Sequence, residues 1–182
     1  MIKRNLLHKL TIALLATSLT LPAAAMAHDH GAKPTTTIVE TAAGNPNFST
    51  LVAAVKAADL VGTLSGPGPF TVFAPTNAAF DALPQGTVAT LLKPENKAKL
   101  TKVLTYHVVA GKVKAADLIA AINAHNGKYT ITTVSGDTLV ASLSGGKVLL
   151  TDEAGGVATV TTTDLYQKNG VIHVIDKVVL PK

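Results

Sequence analysis

The chain has no cysteine and no tryptophan, and aromatic residues make up only 4% of its 182 residues. Without cysteine there are no disulfides, thiolate metal sites, iron–sulfur clusters, cysteine nucleophile or lipid anchor on an N-terminal cysteine. Arginine is nearly missing too, since Arg4 is the single one. Arginine is the usual fork for phosphate and carboxylate, so no nucleic-acid partner is expected. The sequence also lacks a G-x-S-x-G elbow, a P-loop, a G-x-G-x-x-G turn and an H-E-x-x-H helix. No enzyme motif remains on which to build a catalytic mechanism, and no cofactor is expected.

What is present starts with an address. Lys3, Arg4 and Lys9 precede an apolar run from Leu10 to Leu21, Pro22 breaks it, and Ala25-Met26-Ala27 follows. A basic segment, a short apolar segment and an A-x-A site make residues 1–27 a secretory signal peptide, cleaved after Ala27. The run is too short to span a bilayer comfortably, which takes roughly 20 apolar residues. Cleavage removes three cations and no acid, so the formal charge falls from +5 to +2. The mature protein is therefore expected outside the cytoplasm, in the periplasm or the extracellular space, and not embedded in a membrane.

Residues 28–36 read as a flexible lead-in and residues 37–182 as one domain. Residues 37–40 suit a short strand or a turn. Phe48, Leu51, Val52, Val55 and Ala58 recur at helical spacing, with Asn47 or Ser49 as a cap. Gly66-Pro67-Gly68-Pro69 breaks the chain before a buried-strand pattern over residues 70–74. Short helices follow around Phe80, Leu92 and Leu104, and another spans residues 115–124. From Lys128 the period changes to that of strands: residues 129–134, 138–143, 147–150, 157–163, 170–176 and 178–180. Glycine pairs and threonine-rich runs at this spacing suggest an antiparallel meander. Helices first and strands later make an α+β domain.

Three stretches carry a resemblance. Phe70-Thr71-Val72-Phe73-Ala74-Pro75-Thr76-Asn77-Ala78-Ala79-Phe80 resembles the first signature motif of the fasciclin (FAS1) family. Leu104-Thr105-Tyr106-His107-Val108-Val109 is similar to its central tyrosine–histidine motif, and the stretch from Asn169 to Pro181 is similar to its closing motif. The resemblance covers residues 37–182. It implies an antiparallel β-sandwich or wedge flanked by several short α-helices. It also implies a non-enzymatic protein of cell adhesion or of surface and matrix interaction. The expected partner is a cell-surface or matrix protein or polysaccharide. Some members bind apolar pigments, so carriage of a carotenoid-like molecule is the alternative.

The motif residues have local readings of their own. Thr76 and Asn77 precede an apolar helical run and suit its N-terminal cap. Tyr106 and His107 stand at a helix-to-strand junction, where they suit the pairing of buried backbone groups. The resemblance gives them a second reading, as exposed contacts in adhesion. His173 lies between Ile172 and Val174 and reads as a satisfied sheet histidine. Asp117 and Asp176 match, by resemblance, the positions of adhesion motifs. Lys93, Lys97, Lys99 and Lys102 form a solvated helix face with weak attraction for acidic polysaccharide. Finally, cleavage after Ala27 would free an amine ahead of His28-Asp29-His30. An amine, two backbone nitrogens and an imidazole make a square-planar site for Cu(II) or Ni(II), with His28 and His30 as the candidate metal residues.

Overall fold

The computed structural model describes residues 33–182. The expected signal peptide, residues 1–27, and the candidate metal residues His28 and His30 lie outside the described residues.

The first element is a helix, α1 (Ile38–Ala43). Residues 37–40 are thus neither strand nor isolated turn. Thr37 and Glu40 form a reciprocal capping box: the Thr37 N–H donates to Glu40 Oε2 at 2.7 Å, and the Glu40 N–H donates to Thr37 Oγ1 at 3.3 Å. Two orphan donors of the first turn are satisfied at once. The hydrogen bonds from Thr37 hold the Glu40 carboxyl below its usual range.

A 3-10 turn (Pro46–Phe48) leads into α2 (Ser49–Ala57), and α3 (Val61–Ser65) follows. Strand β1 (Phe70–Pro75) is succeeded by α4 (Asn77–Asp81), α5 (Thr87–Leu91) and α6 (Lys97–Tyr106). Then come β2 (Val108–Ala110) and α7 (Ala115–Ala124). The strands β3 (Lys128–Thr132), β4 (Thr138–Ser144), β5 (Lys147–Thr151), β6 (Val157–Gln167) and β7 (Gly170–Ile175) complete the order. Residues 178–180, expected as a strand, pair with no strand. They are held by side chains instead, as described below.

The seven strands lie in the order β2-β1-β7-β6-β5-β4-β3. From β3 to β7 the sheet is the antiparallel meander that the glycine turns suggest. The exception lies next to β2, where β1 runs parallel to β7, with Phe70 opposite Gly170 and Pro75 opposite Ile175. Both strands are buried almost throughout. Parallel strands are typically covered on both faces and carry near-continuous apolar runs, as these two do. Beyond β3 the chain curls back, and the Val134 N–H donates to the Val108 carbonyl of β2 at 2.8 Å, so the sheet partly closes on itself.

Alternation along β1 and β7 divides the interior in two. Val72, Ala74, Ile172 and Val174 face a cluster built with α1, α2, α4 and α6. Phe73 and Ile175 face the inside of the curled sheet, where Tyr106, Leu118, Ile122, Leu139 and Leu150 pack. Two glycines permit the crossing at the start of the parallel pair. A Cβ on Gly170 would overlap the Phe70 carbonyl oxygen, and one on Gly68 would overlap the Asn169 carbonyl oxygen.

Candidate functional site

The candidate residues resolve into buried connectors and surface positions. Tyr106, at the end of α6, is wholly buried. Its hydroxyl donates to the Thr138 carbonyl at 2.7 Å and accepts the Glu153 N–H at 3.2 Å, tying α6 to β4 and to the turn after β5. Burial pushes the phenol up to about 12, and the nearby carboxylates of Glu153, Asp152 and Asp137 add to that.

His107 is 2% exposed. One ring nitrogen, Nδ1, lies 2.8 Å from the Val103 carbonyl and donates to it. The other, Nε2, accepts the Val179 N–H at 3.2 Å. That pairing fixes the tautomer, since only a nitrogen without a proton accepts. Burial pushes the imidazole down to about 4, against a smaller upward pull from the Val103 carbonyl. Tyr106 and His107 thus fit the first of their two readings, the pairing of buried backbone groups, and the second, as exposed contacts, is corrected. Their polar atoms are spent inside the fold, because a buried donor or acceptor left without a partner is costly.

His173 is buried as well, stacked on Phe73 with ring centroids 5.7 Å apart. Its Nδ1 accepts the Asp164 N–H at 3.3 Å and its Nε2 donates to the Val113 carbonyl at 2.9 Å. It is the satisfied sheet histidine that its apolar neighbours suggest. His107 and His173 serve separate backbone groups. Among the described residues, no three His, Asp or Glu side chains gather closely enough to hold a metal ion.

Thr76 caps α4, with its hydroxyl accepting the Ala79 N–H at 3.4 Å. Asn77 caps a different helix. Its Oδ1 accepts the Thr50 N–H at 3.1 Å, and its Nδ2 donates to the Pro46 carbonyl at 2.8 Å. The expectation that Asn47 or Ser49 caps that helix gives way to a cap brought from 27 residues away. Asp176 is exposed, but its Oδ1 accepts the Thr159 N–H at 2.7 Å and braces β6 against β7. Asp117 is exposed in the first turn of α7, where its charge suits the helix dipole. The candidates thus form no single exposed site.

Sequence reasoning misses three polar residues that do comparable work. Asn169 accepts the Ile38 N–H at the start of α1 and donates to the Leu64 carbonyl at the end of α3. Asp164, at φ 59° in the β6 bulge, accepts the Ala115 N–H that opens α7. Asp152 accepts from Gly156 and from Leu180. Each partner is remote in sequence, apart from Gly156. The available signal was only that a polar residue sat next to an apolar strand.

Two apolar cavities of about 10 and 30 Å³ flank His107 in the helix-side core. They are of water-molecule size. A larger groove of about 570 Å³ lies on the surface, walled by the Gly66-Pro67-Gly68-Pro69 loop on one side and by Lys112 and residues 167–170 on the other. Three of the four lysines expected on one helix face meet acids: Lys93, which lies before α6, with Glu95, and Lys97 and Lys102 of α6 with Asp59 and Asp137, all at 3.5–3.6 Å.

A curled seven-stranded sheet with one parallel pair, short helices packed against it and a buried Tyr-His junction define the class of domain. The model of the Fasciclin domain family matches residues 46–181, and the chain belongs to that family. It is 56% identical over 145 residues to Protein sll1483 of Synechocystis sp., covering 80% of this chain and 73% of that relative. Immunogenic protein MPB70 of Mycobacterium bovis is 36% identical over 145 residues, covering 77% of this chain and 66% of the relative. Among solved structures, a FAS1 domain pair from the insect cell adhesion molecule Fasciclin I superposes with a TM-score of 0.70. It is 18% identical, and the match covers 81% of this chain and 51% of that one. The fold expected from the motifs is the fold observed, with the parallel β1–β7 pair as the feature the motifs did not announce.

Proposed function

We propose that the protein is a secreted, non-enzymatic adhesion-type domain that acts through its surface, outside the cytoplasm. The observation that carries this reading is the commitment of its interior polar groups. Tyr106, His107 and His173, the obvious reactive side chains, are buried and paired with backbone groups. A general acid or base has to reach a substrate proton, and these do not. Membership of the fasciclin family and structural likeness to part of a cell adhesion molecule support the same reading. The N-terminal pattern of residues 1–27 supports export. No described helix is long and apolar enough to cross a membrane.

Carriage of a carotenoid-like molecule gains no support from the interior, because the two apolar cavities are far below the 300 Å³ or so of a ligand pocket. The test of the adhesion reading is retention of protein-coated particles on living cells and on their extracellular matrix. Particles coated with an unrelated protein of similar size and charge serve as the control. Retention above the control is expected, and equal retention rejects the reading. N-terminal sequencing of the exported protein should give His28 as its first residue.

A further inference from the structure

The groove beside the Gly-Pro loop is far larger than the two apolar cavities beside His107, and its chemistry is selective. Its amide side chains are already used. Asn169 bridges α1 and α3 through both of its polar atoms, and Gln167 accepts from Thr36 and Thr41. Neutral hydrogen-bonding partners therefore find little there. What remains are two ammonium groups, Lys112 and Lys168, which line the groove and make no salt bridge among the described residues. Lys168 is within electrostatic reach of Glu40, but Glu40 Oε2 is committed to the Thr37 backbone and hydroxyl. Lys112 holds its Nζ 4.8 Å from the centroid of the Tyr166 ring. That ring is 43% exposed, one of few large apolar side chains left in solvent. Pro67 and Pro69 add flat apolar surface on the opposite wall.

We propose that this groove binds an acidic polysaccharide, with uronate carboxylates on Lys112 and Lys168 and a sugar face against Pro67 and Pro69. Charge complementarity chooses the anion: a carboxylate on an ammonium makes a charge-assisted hydrogen bond. The flat proline surfaces of Pro67 and Pro69 take the C–H face of a sugar ring. Gly68 and Gly170 let the backbones of residues 68–70 and 169–170 lie in close contact along the groove. This inference rests on the adhesion reading above and supplies its partner class. The lysines in and before α6 are the poorer site because most of their charge is already met by Asp59, Glu95 and Asp137.

The experiment is a binding titration of the purified protein with fluorescent polygalacturonate at low salt. The comparisons are neutral dextran and single-stranded DNA. The variants are Lys112→Gln/Lys168→Gln in the groove and Lys97→Gln/Lys99→Gln on α6. The expected result is binding of polygalacturonate alone, weakening as salt rises past about 0.15 M. The groove variant should bind about tenfold more weakly, while the α6 variant stays within about twofold of wild type. Absence of polygalacturonate binding, equal loss in both variants, or equal binding of DNA would each overturn the proposal. Particle retention separates the two readings. If particles are retained but polygalacturonate is not bound, the groove assignment fails alone. If particles are not retained either, the adhesion reading fails with it.

Discussion

The backbone N–H of Val179 donates to His107 Nε2 across 3.2 Å, joining the last apolar segment of the chain to the end of α6. The neighbouring residue is held in the same way, since the Leu180 N–H donates to Asp152 Oδ2 at 2.9 Å. Residues 178–180 lie along the core without a strand partner. Side-chain acceptors supply what a ladder would have supplied.

Replacing His107 by Ala should therefore cost about 3 kcal/mol, from the lost packing and from the Val103 carbonyl and Val179 N–H left unpaired. Urea unfolding of the variant checks this. Trimming the chain from Val179 onward should lower the urea midpoint in a similar way.

The same histidine makes stability fall in acid. Its folded value of about 4 lies below the ordinary 6.5, so the unfolded chain takes up the proton first. The contribution is fully present above pH 6.5 and is lost as pH falls from 6.5 towards 4. The loss is roughly 3 kcal/mol. Urea midpoints measured across that window should drop, and the His107→Gln variant should drop less.

Tyr106 sets the opposite limit. Its phenol is held up to about 12 against an ordinary 10, so stability from this group is full below pH 10 and declines as pH rises towards 12. Tyr106→Phe should cost about 1–3 kcal/mol at neutral pH, because the Thr138 carbonyl and Glu153 N–H lose their partner. Absorbance titration should show one of the three tyrosines ionising late, and that late step should vanish in the variant.

The remote caps make a graded test. Asn77→Ala removes the cap of α2 and should cost about 1–2 kcal/mol by urea unfolding. Asp164→Asn keeps both a capping oxygen and a side chain tolerant of positive φ, so it should stay within about 0.5 kcal/mol of wild type. Asp164→Ala loses both and should fall by about 2 kcal/mol.

Gly170→Ala is the severe case. Its methyl group would overlap the Phe70 carbonyl oxygen, and that atom belongs to the backbone of the parallel strand pair. A loss of about 3 kcal/mol or more is expected, enough to deplete soluble protein on expression.

Local pattern made much of this fold legible. The helix Ala115–Ala124 and the glycine-separated strands from β4 onward follow from periodicity and turn chemistry within a few residues. The Thr37–Glu40 capping box was equally present in the sequence, but the β-branched Thr37, Ile38 and Val39 favoured a strand reading. What stayed hidden was remote. Asn77, Asp164 and Asn169 act on helices 27 to 131 residues away, and no spacing rule reports such a partner. The pairing of Tyr106 and His107 with buried backbone groups was legible from their place at a helix-to-strand junction. Which carbonyls and N–H groups they serve, at Thr138, Glu153 and Val179, was not.

The parallel pairing of β1 with β7 has a consequence for biosynthesis. The partner of Phe70 is Gly170, so β1 waits for a segment made 100 residues later. A chain emerging from a ribosome cannot complete its sheet until residues 170–175 have been delivered. Until then β1 offers one unpaired apolar edge to whatever is nearby, the exposure from which misassembly starts. A late-closing domain of this kind locks only once β7 has followed β1 into the open.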